Sequence, residues 1–131
     1  MSWQAYVDTS LVASGHVDQG AIISAAGDSV WAASPGFTLS VEEMKAIAGI
    51  VSENATAVKN AYENGVHAVK KRFIATRIDG RTLHTRQGQE GFCAAKTKQA
   101  IVIGHYNKDQ QVGNCSKTVE GLADYLIEQG Y

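Results

Sequence analysis

Phe73-Ile-Ala-Thr-Arg-Ile-Asp-Gly-Arg-Thr-Leu-His-Thr-Arg86 is the stretch that decides the fold. It reads as two antiparallel strands joined at Asp79-Gly80, because an Asp-Gly pair tolerates the positive φ of a tight hairpin. Working outward, the first strand extends back to cover 66–78 and the second covers 81–87. A Gly88/Gly91 turn then leads into strands over 92–97 and 100–106. Most of these runs alternate in character, as antiparallel strands with one buried face do.

Upstream, Gly27-Asp28 separates two further strands, 21–26 and 29–33, and is expected to form a two-residue hairpin turn. Helices occupy the remainder. Ser2 is placed to cap a helix over 3–13, in which Trp3, Tyr6, Val7 and Leu11 recur at helical spacing until Gly15. Ser40-Val-Glu-Glu43 is a capping box opening a helix over 41–52, with Val41, Met44, Ile47, Ala48 and Val51 as its apolar stripe. The stretch 55–64 adds a shorter helical piece of weak periodicity before Asn64-Gly65. Ser116 is expected to cap a closing helix whose inner face is Val119, Leu122, Ala123, Leu126 and Ile127. The order α-β-β-α-β-β-β-β-α lacks a sustained strand–helix alternation. It therefore predicts an α+β fold, a central antiparallel sheet covered by helices, and not a parallel doubly wound sheet.

The 131 residues suit one domain, 1–131, and a 44% hydrophobic share with 19% charged residues gives it enough material for a core. No basic start followed by a long apolar run opens the chain, and no apolar run approaches a membrane span, so a cytosolic protein is expected. In that setting Cys93 and Cys115 are expected as reduced thiols, and the Asn54-Ala-Thr56 sequon as a chance match. A net charge of −1 argues against a general nucleic-acid binder. The charge is nevertheless uneven: Lys70, Lys71, Arg72, Arg77, Arg81, Arg86, Lys96 and Lys98 fall within 70–98 against only Asp79 and Glu90. This surplus favours an acidic partner, although Lys70 and Lys71 equally suit a solvated edge that deters sheet-to-sheet pairing.

Catalytic and cofactor chemistry finds little support. His16, His67, His84 and His105 match no compact ligand spacing, there is no C-x-x-C or G-x-S-x-G, and the carboxylates form no marked dyad. Gly113-Asn-Cys-Ser-Lys-Thr118 imitates a phosphate loop, but Gln111 and Ser116 stand where its glycines must be. No catalytic residue, metal or cofactor is expected.

The aromatic residues are more informative. Trp3 and Tyr6 lie one helical turn apart near one end, while Tyr125 and Tyr131 crowd the other, with Tyr125 about 120° off its helix's apolar stripe. On one reading Trp3 and Tyr6 plug the first helix into the sheet. On the other, terminal helices lying side by side let Trp3, Tyr6, Trp31, Tyr125 and Tyr131 line a groove for polyproline, which is extended before it binds and presents free carbonyls to aromatic donors.

Ser2-Trp-Gln-Ala-Tyr-Val-Asp8, Val30-Trp-Ala32, Lys96-Thr-Lys-Gln-Ala-Ile-Val-Ile-Gly-His-Tyr106 and Leu122-Ala-Asp-Tyr-Leu-Ile-Glu-Gln-Gly-Tyr131 together resemble profilin, particularly its fungal, amoeboid and plant members. The resemblance runs essentially end to end. It implies a central antiparallel sheet with the two terminal helices packed together on one face, and a polyproline groove at Trp3, Tyr6, Trp31, Tyr125 and Tyr131. It further implies an actin-binding region at Arg72, Arg77, Arg86, Gly113, Ser116 and Lys117. Similar proteins also take phosphoinositide headgroups, for which Lys71, Arg72, Arg81, Lys96 and Lys98 are the candidates here. Val66-His-Ala-Val-Lys-Lys-Arg72 departs from the family's usual glycine and single basic residue before Phe73. The implied protein is a monomeric, non-enzymatic adaptor that hands actin to proline-rich assembly factors such as formins and speeds nucleotide exchange on actin. A nucleotide-binding protein and a small-molecule sensor domain of similar architecture are the rival readings.

Overall fold

A computed structural model describes residues 3–37, 39–69 and 71–131, so the cap expected at Ser2 and the charge at Lys70 lie outside the described residues. The N-terminal helical segment, α1, is α-helical over Trp3–Ala5, widens to a π-helix over Tyr6–Leu11 and tightens to a 3-10 turn over Val12–Ser14. Strands β1 (Gln19–Ser24) and β2 (Val30–Ala33) follow, then helices α2 (Val41–Val51) and α3 (Ala55–Asn64). Next come β3 (Val66–Ala68), β4 (Lys71–Asp79), β5 (Thr82–Arg86), β6 (Gly91–Lys96) and β7 (Ala100–Tyr106), closed by α4 (Val112–Glu128). All strand pairs are antiparallel, in the order β2-β1-β7-β6-β5-β4-β3.

The sheet separates two cores. On one face α2 and α3 bury Met44, Ile47, Ile50 and Ala61 against Ile23, Phe73, Leu83, Phe92, Ile101 and Ile103. On the other, α1 and α4 bury Tyr6, Val7, Leu11, Cys115, Val119, Leu122 and Leu126 against Ile22, Cys93, Ala95, Ala100 and Val102. The terminal helices thus share one face, as the resemblance implies. The sheet residues beneath α4 are small, which lets a helix approach closely; at Gly104 an added Cβ would lie 2.6 Å from Cγ2 of Val119.

Four sequence expectations are corrected. The first hairpin closes through Ser24 and Ser29, whose backbones pair, so Gly27-Asp28 is part of a longer loop and not a two-residue turn. Gly27, at φ 75°, is held against α2, where an added Cβ would come 2.7 Å from the Met44 carbonyl oxygen. The second turn is shifted by one residue: Asp79 pairs with Thr82, so Gly80-Arg81 forms the tip and Arg81 leaves the strand. The run 66–78 is two strands, since Ala68 pairs with Lys71 and the chain doubles back beside Val69, a β-branched residue at φ 52°. Finally, Ser116 is not a cap. Helical hydrogen bonding has begun by Gln111, whose carbonyl accepts from Cys115 N, because Cys115 is itself buried against the sheet and extends the apolar stripe by a turn.

The Gly104→Ala variant tests the close approach of α4. The added methyl meets Val119, a stiff and fully buried side chain, so a loss of about 1–3 kcal/mol is expected in urea unfolding, as for other overpacked cores.

Candidate functional site

Both chain ends meet over β2. Gln4 Nε2 donates to the Ala33 carbonyl (3.0 Å) and to Asp8 Oδ1 (3.1 Å), fixing α1 beside the edge strand. At the far end, Gly130 at φ 92° turns the chain out of α4. Tyr131 N–H then donates to the Leu126 carbonyl, while its own carbonyl accepts from Gln99 N–H (2.6 Å) and the Thr97 hydroxyl (3.0 Å). These bonds deliver five rings to one place. Trp3 lies 4.8 Å from Trp31, 5.0 Å from Tyr131 and 5.7 Å from Tyr6, and Tyr6 lies 6.1 Å from Tyr125, all between centroids and all tilted or edge-on. Such separations are those of mutually attractive aromatic pairs.

Exposure divides the five by role. Tyr6 is buried and anchors α1, as the core-plug reading holds. Trp3 and Trp31 are half-buried, whereas Tyr125 and Tyr131 are 45% and 40% exposed. The result is an aromatic floor walled by two phenols and open to solvent. Burial first, then Tyr125 and Tyr131, push the Tyr6 phenol above its ordinary value, so the Tyr6 hydroxyl is a protonated donor at neutral pH.

A second surface lies past the other flank of α4. Cross-strand partners share a face of the sheet, and Ile74 pairs with Arg86 while Arg77 pairs with His84. His84 in turn pairs with Cys93, beneath α4, so these residues belong to the face that α4 covers only in part. Strict alternation from Phe73 and Ala75 would turn Arg77 inward. A bulge between Ala75 and Arg77 turns it outward and Ile78 toward the core.

Helix α4 borders this surface with Gly113, Ser116 and Lys117, which recur at helical spacing. The Ser116 hydroxyl donates to Glu120 Oε2 (2.6 Å) and also meets His84 Nε2 at 3.2 Å. Its one proton is committed to the carboxylate, so His84 Nε2 carries the hydrogen and donates to the hydroxyl oxygen. Burial holds the His84 pKa below its ordinary value, against the pull of Glu120.

The residues that the resemblance assigns to actin therefore share one sheet face and its helical border, with differing freedom. Arg77 pairs with Asp79 (3.0 Å), Arg86 Nε donates to the Gly88 carbonyl, and Arg72 Nε is tethered to the Asn64 carbonyl. Ile74, 61% exposed between the arginines, and His84, which holds Ser116, were missed by sequence reasoning. The alternation Arg72-Phe73-Ile74-Ala75 already placed Ile74 outward; nothing in the sequence announced the bulge or the His84 contact.

The phosphoinositide candidates separate. Lys71 and Arg72 open β4, whereas Arg81 follows its far end, roughly 25 Å away along nine residues of strand. Lys71 is engaged with Glu90 at 2.9 Å. Arg81, Lys96 and Lys98 instead line a cleft of about 330 Å³ with Glu53, Thr97 and Ile127.

The profilin family model matches residues 1–131. The chain belongs to the profilin family. It is 40% identical to profilin of Schizosaccharomyces pombe and 43% identical to profilin-2 of Acanthamoeba castellanii, each over the full length of both chains. Among solved structures, S. pombe profilin superposes with a TM-score of 0.91 at 40% identity, covering 99% of this chain and 100% of that one. Mouse profilin IIa, in complex with a double repeat from the FH1 domain of mDia1, shares the fold at a TM-score of 0.79 and 23% identity, with full coverage of both chains.

Membership in the profilin family sets aside the nucleotide-binding and sensor-domain readings. Profilins regulate actin by binding it and are not enzymes. Cys93 fits a structural part: the neighbouring Cys115 thiol, and then burial, push its thiol above its ordinary value and so away from the reactive thiolate. Among the described residues no helix is long and apolar enough to cross a membrane.

The Lys71–Glu90 pair yields a pH signature. The Lys71 hydrogen bond holds the Glu90 carboxyl below its ordinary value of 4.5 despite partial desolvation. The associated stability is complete above that value and is lost as pH falls through the lowered folded pKa. Urea midpoints measured from neutral pH down to about pH 3 should therefore decline less steeply at the acid end in Glu90→Gln than in the native chain.

Proposed function

We propose that the chain is a single profilin domain acting in the cytoplasm, which binds monomeric actin with one surface and proline-rich segments with the other. The observation that carries the polyproline half is the convergence of Trp3, Tyr6, Trp31, Tyr125 and Tyr131 on one open floor. A polyproline helix repeats every three residues with about 3.1 Å rise per residue and has no internal hydrogen bonds. Its rings pack on aromatic faces, its free carbonyls accept from indole N–H and phenol O–H, and its stiffness means that little chain entropy is lost on docking.

The actin half is supported by the arginine-bearing face of β4 and β5 and the neighbouring turns of α4. An exposed isoleucine among Arg72, Arg77 and Arg86 is a surface suited to an acidic protein partner, with apolar contact at the centre and charge at the rim. The two surfaces flank opposite sides of α4, so one domain is able to hold an actin monomer while a proline-rich assembly factor such as a formin occupies the groove. No step in this scheme makes or breaks a covalent bond in the domain. Faster nucleotide exchange on actin follows from binding that biases actin's cleft.

Retention on immobilised poly-L-proline tests the groove. The native chain should be retained and Trp3→Ala, shown folded by its urea transition, should wash through, a loss of about 2 kcal/mol or more for a central aromatic anchor. A folded native chain that is not retained would sink the polyproline half. For the other surface, Lys117→Glu combined with Arg77→Glu should weaken actin binding roughly tenfold or more while leaving retention on poly-L-proline intact.

A further inference from the structure

The aromatic floor does not end in neutral surface. Tyr131, which closes it, is pinned through its carbonyl by Thr97 and Gln99, and these residues belong to the turn that carries Lys98 and follows Lys96. Arg81 joins the same corner, donating to the Lys96 carbonyl (3.2 Å) and pairing with Asp124, the neighbour of Tyr125. The groove and the cleft of Arg81, Lys96 and Lys98 are therefore hung from one short segment of chain. Among the described residues neither Lys96 nor Lys98 has a carboxylate within ion-pair distance.

We infer that this cleft is a charge-reading extension of the groove, which selects proline-rich ligands carrying an acidic tract, of Asp, Glu or phosphorylated residues, at one end of the proline run. The inference rests on the polyproline reading and adds the partner's chemistry to it. A proline helix advances about 3.1 Å per residue, so each added residue beyond Tyr131 carries an acidic tract further along the surface, toward the turn that bears Lys98. The occupant is chosen by continuity and by charge. The cleft residue Thr97 and its neighbour Gln99 hold the Tyr131 carbonyl, and the cleft's cations outnumber its lone lining carboxylate, Glu53. Two or three partly exposed ion pairs of ordinary strength would tighten binding about three- to tenfold at low salt and fade as salt screens them. Asp124 already engages Arg81, so the lysines carry most of the preference.

The test is a fluorescence titration with five synthetic peptides: decaproline alone, and decaproline with a triglutamate or a trilysine tract at either its N-terminal or its C-terminal end. For the native chain the affinity of one glutamate-flanked peptide should exceed that of plain decaproline about three- to tenfold, and the trilysine peptides should show no gain. In the Lys96→Gln/Lys98→Gln variant, which keeps Thr97 and hence the Tyr131 anchor, the ratio of flanked to plain affinity should fall toward one, as it should in the native chain at high salt. A ratio near one in the native chain, or a gain that survives in the variant, overturns the inference while leaving the groove standing. Loss of plain decaproline binding in the native chain is the separate failure of the polyproline reading. Phosphoinositide-containing vesicles that bind the native chain but not the variant, with no preference for the acidic flank, overturn the inference and assign the cleft to a membrane surface.

Discussion

The close docking of α4 on β6 and β7 is the contact on which the rest of the molecule depends. It is possible because the strands offer Cys93, Ala95, Ala100 and Gly104 beneath a helix whose inward stripe is Cys115, Val119, Leu122, Ala123 and Leu126. With the helix seated this low, its C-terminal turns lie against α1 and bring Tyr125 to Tyr6 and Tyr131 to Trp3, while its N-terminal turns meet β5 through Ser116 and His84. One packing interaction thus builds a groove on one flank and borders a charged sheet face on the other. No ring of the groove belongs to the second surface.

The two surfaces are made by different means. The groove is assembled from side chains far apart in sequence, whose rings contact one another and lose little on being partly exposed because each retains aromatic neighbours. The other surface comes from one hairpin, and depends on a bulge that reverses the facing of Arg77 without unpairing the strands on either side. Its arginines are each engaged by a nearby acceptor, Asn64, Asp79 or Gly88, and so are oriented before a partner arrives. Pre-orientation of this kind reduces the entropy lost on association.

Much of the fold was legible because periodicity and caps report directly on burial. The capping box at Ser40 and Glu43 has both of its reciprocal hydrogen bonds, and the stripe from Val119 to Leu126 is the buried face of α4. What was not legible depended on contacts distant in sequence. Gly27-Asp28 carries the local signature of a tight turn, yet the loop is longer because Gly27 must fit against α2. Ser116 looks like a cap, but Cys115 has to be helical already in order to bury its side chain. The run 66–78 has no glycine or Asp-Gly pair to mark its fold-back, which passes through Val69 in a conformation that β-branched residues rarely adopt. For the sites, the aromatics stood out because five rings gather at both chain ends and in one early strand. The basic residues did not sort themselves in the same way. Lys71 and Arg81 read as members of one charged run, and only the length of β4 separates them.

The central claim is that one helix holds two surfaces apart so that both can be occupied together. The most direct measurement is the actin affinity of the native chain with and without saturating decaproline. The account predicts the same affinity within about twofold, as sites with no shared side chain behave, together with a ternary species in sedimentation. Displacement of actin by decaproline would contradict it, because the two ligands would then be competing for a single surface.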